Sequence, residues 1–180
     1  MIEIGLQVIA IVSTILCVVF TGQQKVICWP MGIISVLSLI AIYVMEGLYA
    51  QILLQSVFMI QCIIGWYNWG AVDNLTVTKK DTHVFIQQVV LVIVLGLLLV
   101  AFPFVEISCI DVLAAFIALL GNWYLTKKII QAWLLFMTYN LLLIVVLVSK
   151  EIYPIAIMNA VLFFISLNGY RTWKKDLKTV

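Results

Sequence analysis

VFIQQVVLVIVLGLLLVAFPF, residues 84–104, decides the fold. Its apolar residues do not alternate as in a half-buried strand, and they run far past the length of a buried one. A hydrocarbon core about 30 Å thick takes roughly 20 helical residues, which is the length of this run. Three runs of the same kind precede it, at 2–20, 26–45 and 50–69, and three follow, at 109–126, 131–149 and 152–170. The stretch is therefore the odd helix in the middle of seven.

Composition names the solvent. With 66% hydrophobic and 10% charged residues and a mean hydropathy of +1.23 over 180 residues, there is too little polar sequence to cover a soluble globule. In lipid an open sheet leaves backbone groups unpaired, and unalternating runs do not suit barrel strands. The expected fold is an all-α integral membrane protein with seven transmembrane helices. The first run has no basic segment before it and no small-residue cleavage site after it, so it is read as a retained span. Cys17, Cys28, Cys62 and Cys109 show no CxxC or Cys/His spacing and are read as small buried hydrophobes, with no metal and no cofactor expected.

The connections are short enough to orient the chain by counting Lys and Arg. With the N-terminus outside, Lys25, Lys79, Lys80, Lys127, Lys128, Arg171, Lys174, Lys175 and Lys178 face the cytoplasm, and Lys150 is the one basic exception. The outer segments then hold Glu3, Glu46, Glu106, Asp111 and Glu151. The expected location is an inner membrane, with the C-terminus cytoplasmic. The basic end RTWKKDLK suits an anchor to anionic lipid and not a nucleic-acid patch. His83, the one histidine, reads as a solvated residue of the cytoplasmic loop NLTVTKKDTH.

An ungapped shift of 104 residues aligns Trp29 with Trp133, Gln55 with Asn159, and GWYNW at 65–69 with GYRTW at 169–173. Spans 1, 2 and 3 then correspond to 5, 6 and 7, in the same orientation because span 4 intervenes. The expected plan is three-one-three: a three-helix bundle at 1–70, a cytoplasmic loop and linker helix at 71–108, a second bundle at 109–173 and a basic cytoplasmic tail at 174–180. Parallel repeats about the membrane normal are a transporter architecture, with the substrate near the midplane. Duplication retained only for packing is the alternative.

Polar residues inside spans cost free energy unless they pair or face a cavity, so each is a candidate. In span 3, Gln51 and Gln55 share one face and Gln61 and Asn68 another, so one pair is expected to bind ligand and the other to glue helices. In span 6, Trp133, Phe136 and Asn140 fall at i, i+3 and i+7, which suits an aromatic cation: ring faces attract it by about 0.5–2 kcal/mol each and the amide reads a polar edge. Packing explains the same stripe. Asn159 in span 7 and its mate Gln55 complete the set, with Tyr139 and Gln51 behind them. Trp29, Trp69 and Trp173 at the cytoplasmic ends fit an interfacial belt.

No Ser/His/Asp set, HExxH or phosphate-cradling glycine loop is present, so the chain is not expected to be an enzyme. No acidic residue stands at a span centre, which disfavours proton coupling. A non-transporting helical-bundle protein, whether an intramembrane enzyme or an assembly factor, is the alternative class.

WPMG at 29–32, LYAQILLQ at 48–55, GWYNWG at 65–70 and NAVLFF with NGYRTW between 159 and 173 resemble the PnuC family of bacterial vitamin transporters, relatives of the SWEET sugar transporters. The resemblance implies import of nicotinamide riboside, thiamine or riboflavin by facilitated diffusion with alternating access, and net uptake held by a cytoplasmic vitamin kinase. It implies no partner beyond the vitamin and the bilayer, no nucleic acid, and is compatible with a homo-oligomer. Nicotinamide riboside members carry E-N-W-x-x-W in span 6. Here Gln131-Ala132-Trp133-Leu134-Leu135-Phe136 keeps the first tryptophan and replaces the second, which tilts the expectation slightly toward thiamine. Asn159 falls on the amide that the family uses in its site.

Overall fold

A computed structural model of the chain describes residues 2–71, 76–100, 109–149 and 151–177. Glu106, Lys150 and Lys178, and the side chains of Glu3, Cys109 and Asp111, lie outside what is described. Seven helices appear: α1 Ile2–Gly22, α2 Cys28–Met45, α3 Tyr49–Ala71, α4 Thr82–Val100, α5 Cys109–Thr126, α6 Gln131–Ser149 and α7 Tyr153–Asp176. Five of them, α1, α2, α3, α6 and α7, are long and apolar enough to cross a bilayer, while α4 and α5 contribute the shorter apolar runs Thr82–Leu98 and Val112–Thr126 among the described residues. Large apolar side chains stand exposed along the helices, including Leu53, Val145 and Phe164, and lipid is the solvent that covers such a surface.

The helix ends explain how such short connections work in lipid. The last carbonyls of a helix have no partner within it, and hydrocarbon supplies none. After α1, Lys25 N–H donates to the Phe20 carbonyl at 3.0 Å, with Gln24 in the left-handed region at φ 56°. After α5, Ile129 N–H donates to Tyr124 at 3.0 Å, with Lys128 at φ 50°. After α2, Leu48 N–H donates to Tyr43 at 2.9 Å past Gly47 at φ 68°, and after α6, Ile152 N–H donates to Leu147 at 2.8 Å past Glu151 at φ 59°. Each is a Schellman-type closure, in which one left-handed residue lets the chain turn back and satisfy the orphan carbonyls. The first and second of these turns stand 104 residues apart, as do the third and fourth.

Helix starts obey the same economy. Pro30 lies in the first turn of α2 and a proline occupies the first turn of α7, where the missing N–H had no partner to lose. Asp81 caps α4, its Oδ1 accepting from His83 N–H at 2.8 Å and Val84 N–H at 3.3 Å. His83 is thus an exposed residue of the first turn of α4 and not of a loop. At the other end of the chain, α7 continues through Lys174 and Lys175 to Asp176. The start of the expected basic tail is therefore a helical turn whose positive charges complement the helix dipole.

The chain forms two compact units, Met1–Thr76 with Thr126–Lys128, and Val77–Leu125 with Ile129–Val180. In the first, α2 packs against both α1 and α3. Thr14 Oγ1 and Ser35 Oγ lie 2.7 Å apart, and Ser35 also donates to the Ala10 carbonyl at 3.2 Å, so hydroxyls tie α1 to α2 without a buried charge. In the second, α6 packs on α7, and α4 lies along α5, where Tyr124 Oη donates to Gln88 Oε1 and a Cβ on Gly96 would meet Leu113 at 2.9 Å.

Candidate functional site

Of the seven candidate residues, Trp133, Phe136, Tyr139, Asn140 and Asn159 belong to the second unit and Gln51 and Gln55 to the first. Trp133, in the first turn of α6, is 1% exposed. Its ring meets Trp173 of α7 edge to face, with centroids 5.4 Å apart and planes at 88°. A Cβ on Gly169 would fall 2.6 Å from the Trp133 ring, so only glycine admits it. Its Nε1 is buried with no hydrogen-bond partner.

Phe136 faces a different neighbour. Its ring edge lies against Gly121 of α5, where a Cβ would sit 3.4 Å from it. The two rings of the α6 stripe are thus turned to separate helices in this conformation. Asn140, the central residue of α6, is 3% exposed. Its Nδ2 donates to the Phe136 carbonyl at 2.7 Å, while Oδ1 is buried without a partner. An unpaired buried acceptor costs about 1–3 kcal/mol, which is tolerated where a ligand repays it. Asn159 is likewise buried and turns Nδ2 back to the Ile155 carbonyl at 2.8 Å. Tyr139 is half-buried.

In the first unit, Gln55 is half-buried and hydrogen-bonds to the Tyr43 phenol, while Gln51 is exposed. On the other face of α3, Asn68 Nδ2 donates to the carbonyl of Thr126, the last residue of α5, at 3.3 Å. An open groove of about 460 Å³ follows Ile63, Trp66, Tyr67 and Gly70 on α3, away from the candidate residues.

Trp29, Trp69 and Trp173 are buried and are not belt residues facing the interface. Trp29 meets Trp69 edge to face at 5.3 Å and 89°, and a Cβ on Gly65 would fall 2.3 Å from its ring. The Trp29 Nε1 is also buried without a partner. Glycine opposite Trp29, as opposite Trp133, opens a slot that draws the ring inward, and edge-to-face packing of Trp69 and Trp173 on these rings outweighs the interface preference. The Lys128 ammonium lies over Trp69, 4.8 Å from the ring centroid. Burial pulls its pKa below the ordinary lysine value, against a smaller opposing contribution from Cys28, which raises it.

Among the polar residues whose role sequence reasoning missed is Gln131. Gln131 Nε2 donates to the Lys80 carbonyl at 2.7 Å and its Oε1 accepts Lys80 N–H at 3.0 Å. Beside it, Ile130 N–H donates to Thr78 at 2.9 Å in a single β-bridge between Thr78 and Ile129. The side chain thus extends a backbone pairing that holds the segment before α4. An amide at the start of a span, next to a short loop, was the available signal.

The family model described as nicotinamide mononucleotide transporter matches residues 4–175. The nicotinamide riboside transporter PnuC of Escherichia coli strain K12 is 26% identical, over 93% of this chain and 84% of its own, and that of Shigella flexneri gives the same values. A solved structure, the crystal structure of the vitamin B3 transporter PnuC, superposes with a TM-score of 0.79 at 19% identity, over 94% of this chain and 80% of its own, which shows a shared fold. These relatives are transporters and not enzymes. With the match running through all seven helices, the chain is a multi-pass membrane protein that belongs to the nicotinamide mononucleotide transporter family, the PnuC family.

Proposed function

We propose that the chain carries nicotinamide riboside, a small cationic aromatic vitamin, across a bacterial inner membrane by facilitated diffusion. The observation that carries this reading is the unpaired acceptor Asn140 Oδ1, buried at the centre of α6 one turn from Phe136. A carboxamide N–H or a ribose hydroxyl would repay its desolvation, and the Phe136 ring would meet a pyridinium. Asn159, Gln55, Trp133, Gln51 and Tyr139 complete the proposed set. The curated relatives, named for nicotinamide riboside, support the choice over thiamine. Thiamine is the second reading, favoured by Phe136 in place of the second tryptophan. Parallel thermal shifts with nicotinamide riboside, thiamine and riboflavin separate them: the first is expected to stabilise at the lowest concentration, since only a ligand of the folded state raises stability. Precedence for thiamine would transfer the assignment, and no shift with any of the three would remove it.

The three-one-three plan, with its bundles at 1–70 and 109–173, belongs to the same proposal. It is supported by the paired left-handed turns and by the Trp29–Trp69 and Trp133–Trp173 contacts of matching geometry, each 104 residues apart. Parallel repeats suit alternating access. The distribution of basic residues favours an N-terminus outside and a C-terminus in the cytoplasm, where a vitamin kinase would hold what enters.

A further inference from the structure

Three thiols of the first unit play no part in the proposed transport. Cys17 comes from α1, Cys28 from the first turn of α2 and Cys62 from α3. A Cβ built on Gly32 of α2 would sit 3.1 Å from Cys62 Sγ and 3.4 Å from Cys17 Sγ, so both sulfurs press on one point of the α2 backbone. Thr21 Oγ1 donates to the Cys17 carbonyl at 2.7 Å, which sets its hydroxyl beside the Cys17 and Cys28 thiols, and Cys17 lies within electrostatic range of Cys28 and Cys62. All three are free thiols.

Helix packing alone does not call for sulfur here. The positions 104 residues on are Gly121, Ala132 and Ser166, and the counterpart of Gly32 is Phe136. In the second unit the Phe136 ring fills the space beside Gly121, whereas in the first unit thiols converge beside Gly32. The same three-helix arrangement is built without a cysteine at any of these places.

We propose that Cys17 and Cys62 form a two-coordinate site for a soft divalent cation of the mercury(II) type. Thiolate sulfur selects soft metals and rejects the hard oxygen-seeking ones. Each thiol loses its proton and forms one metal–sulfur bond, so two thiols and one Hg²⁺ give a neutral bis-thiolate and two protons, with no change of oxidation state. Neutrality matters in a low-dielectric bundle, where net charge is costly. Monovalent copper or silver on the same thiolates would leave one negative charge behind. Among the described residues no group of three or more His, Cys, Asp or Glu is arranged for a metal, which fits a linear pair and not a tetrahedral centre. Such a bridge ties α1 to α3 across α2.

The test uses full-length protein carrying Cys28→Ala and Cys109→Ala, which leaves Cys17 and Cys62 as its thiols. Mercuric chloride at one equivalent is expected to leave one mercury per chain after washing with excess monothiol, because the second bond forms at high effective concentration. Adding Cys62→Ser is expected to lower retention by about tenfold or more. Equal loss of mercury from the two-thiol and one-thiol proteins would overturn the site. If the two-thiol protein does not fold, X-ray absorption of mercury on the wild-type protein decides: two sulfurs per metal upholds the proposal, and one, or three or more, overturns it.

Discussion

Trp133 has two roles that truncation would confound. Its ring fills the slot at Gly169 against Trp173, so Trp133→Ala should lose about 3–5 kcal/mol from the cavity alone, whatever it does to substrate. Asn140→Leu separates binding from packing. Replacing a buried amide whose oxygen has no partner should leave the thermal midpoint unchanged or raised, while vitamin affinity falls about tenfold or more. A lowered midpoint with intact affinity would make Asn140 a packing residue. Gly169→Ala and Gly65→Ala test the slots: each forces a methyl into an indole and should cost about 1–3 kcal/mol, read as a drop in thermal midpoint in detergent. At this scale the sequence was partly legible. The i, i+3, i+7 spacing located Asn140 and Trp133 on one helix, but spacing does not say which neighbour a ring enters. That depends on Gly121 and Gly169, small residues on other helices, and the same blindness assigned Trp29, Trp69 and Trp173 to the interface.

The helices were legible because lipid leaves the backbone little alternative. α5 and α6 begin and end where the apolar runs do, while α3 and α7 continue beyond theirs to Ala71 and Asp176. The α7 extension carries Arg171, Lys174, Lys175 and Asp176, so there hydropathy falls before helical hydrogen bonding stops. The turns were not legible, since Gln24, Lys128 and Glu151 take left-handed backbone without being glycine. Their tolerance comes from the carbonyls each closure satisfies. A Cβ on Gly47 meets nothing within 4 Å, so Gly47→Ala should lose about 1 kcal/mol through backbone strain alone. At the corresponding turn, Glu151→Gly should gain up to about 1 kcal/mol, less the extra chain entropy of glycine. Opposite shifts of the thermal midpoint check the pair, and equal shifts would show that the two turns are not strained alike. Gln131→Leu should release Lys80, seen as faster amide hydrogen exchange at Thr78–Lys80 with the helices still protected.

For the whole molecule, membrane insertion was read from composition and the family from four short motifs, while the substrate hung on one position, Phe136. A ring can stack on several vitamins, so sequence alone could not order them, and the thiamine preference has no support from the curated relatives. No carboxylate stands at a span centre, so transport should need no proton gradient. The most direct test is uptake of radiolabelled nicotinamide riboside into liposomes holding the purified protein, with no ion gradient imposed. The expected result is saturable uptake that stops when inside and outside concentrations are equal, and that Asn140→Leu slows. Uptake no faster than into empty liposomes, or accumulation above the outside concentration only under a pH gradient, would contradict facilitated diffusion by this chain.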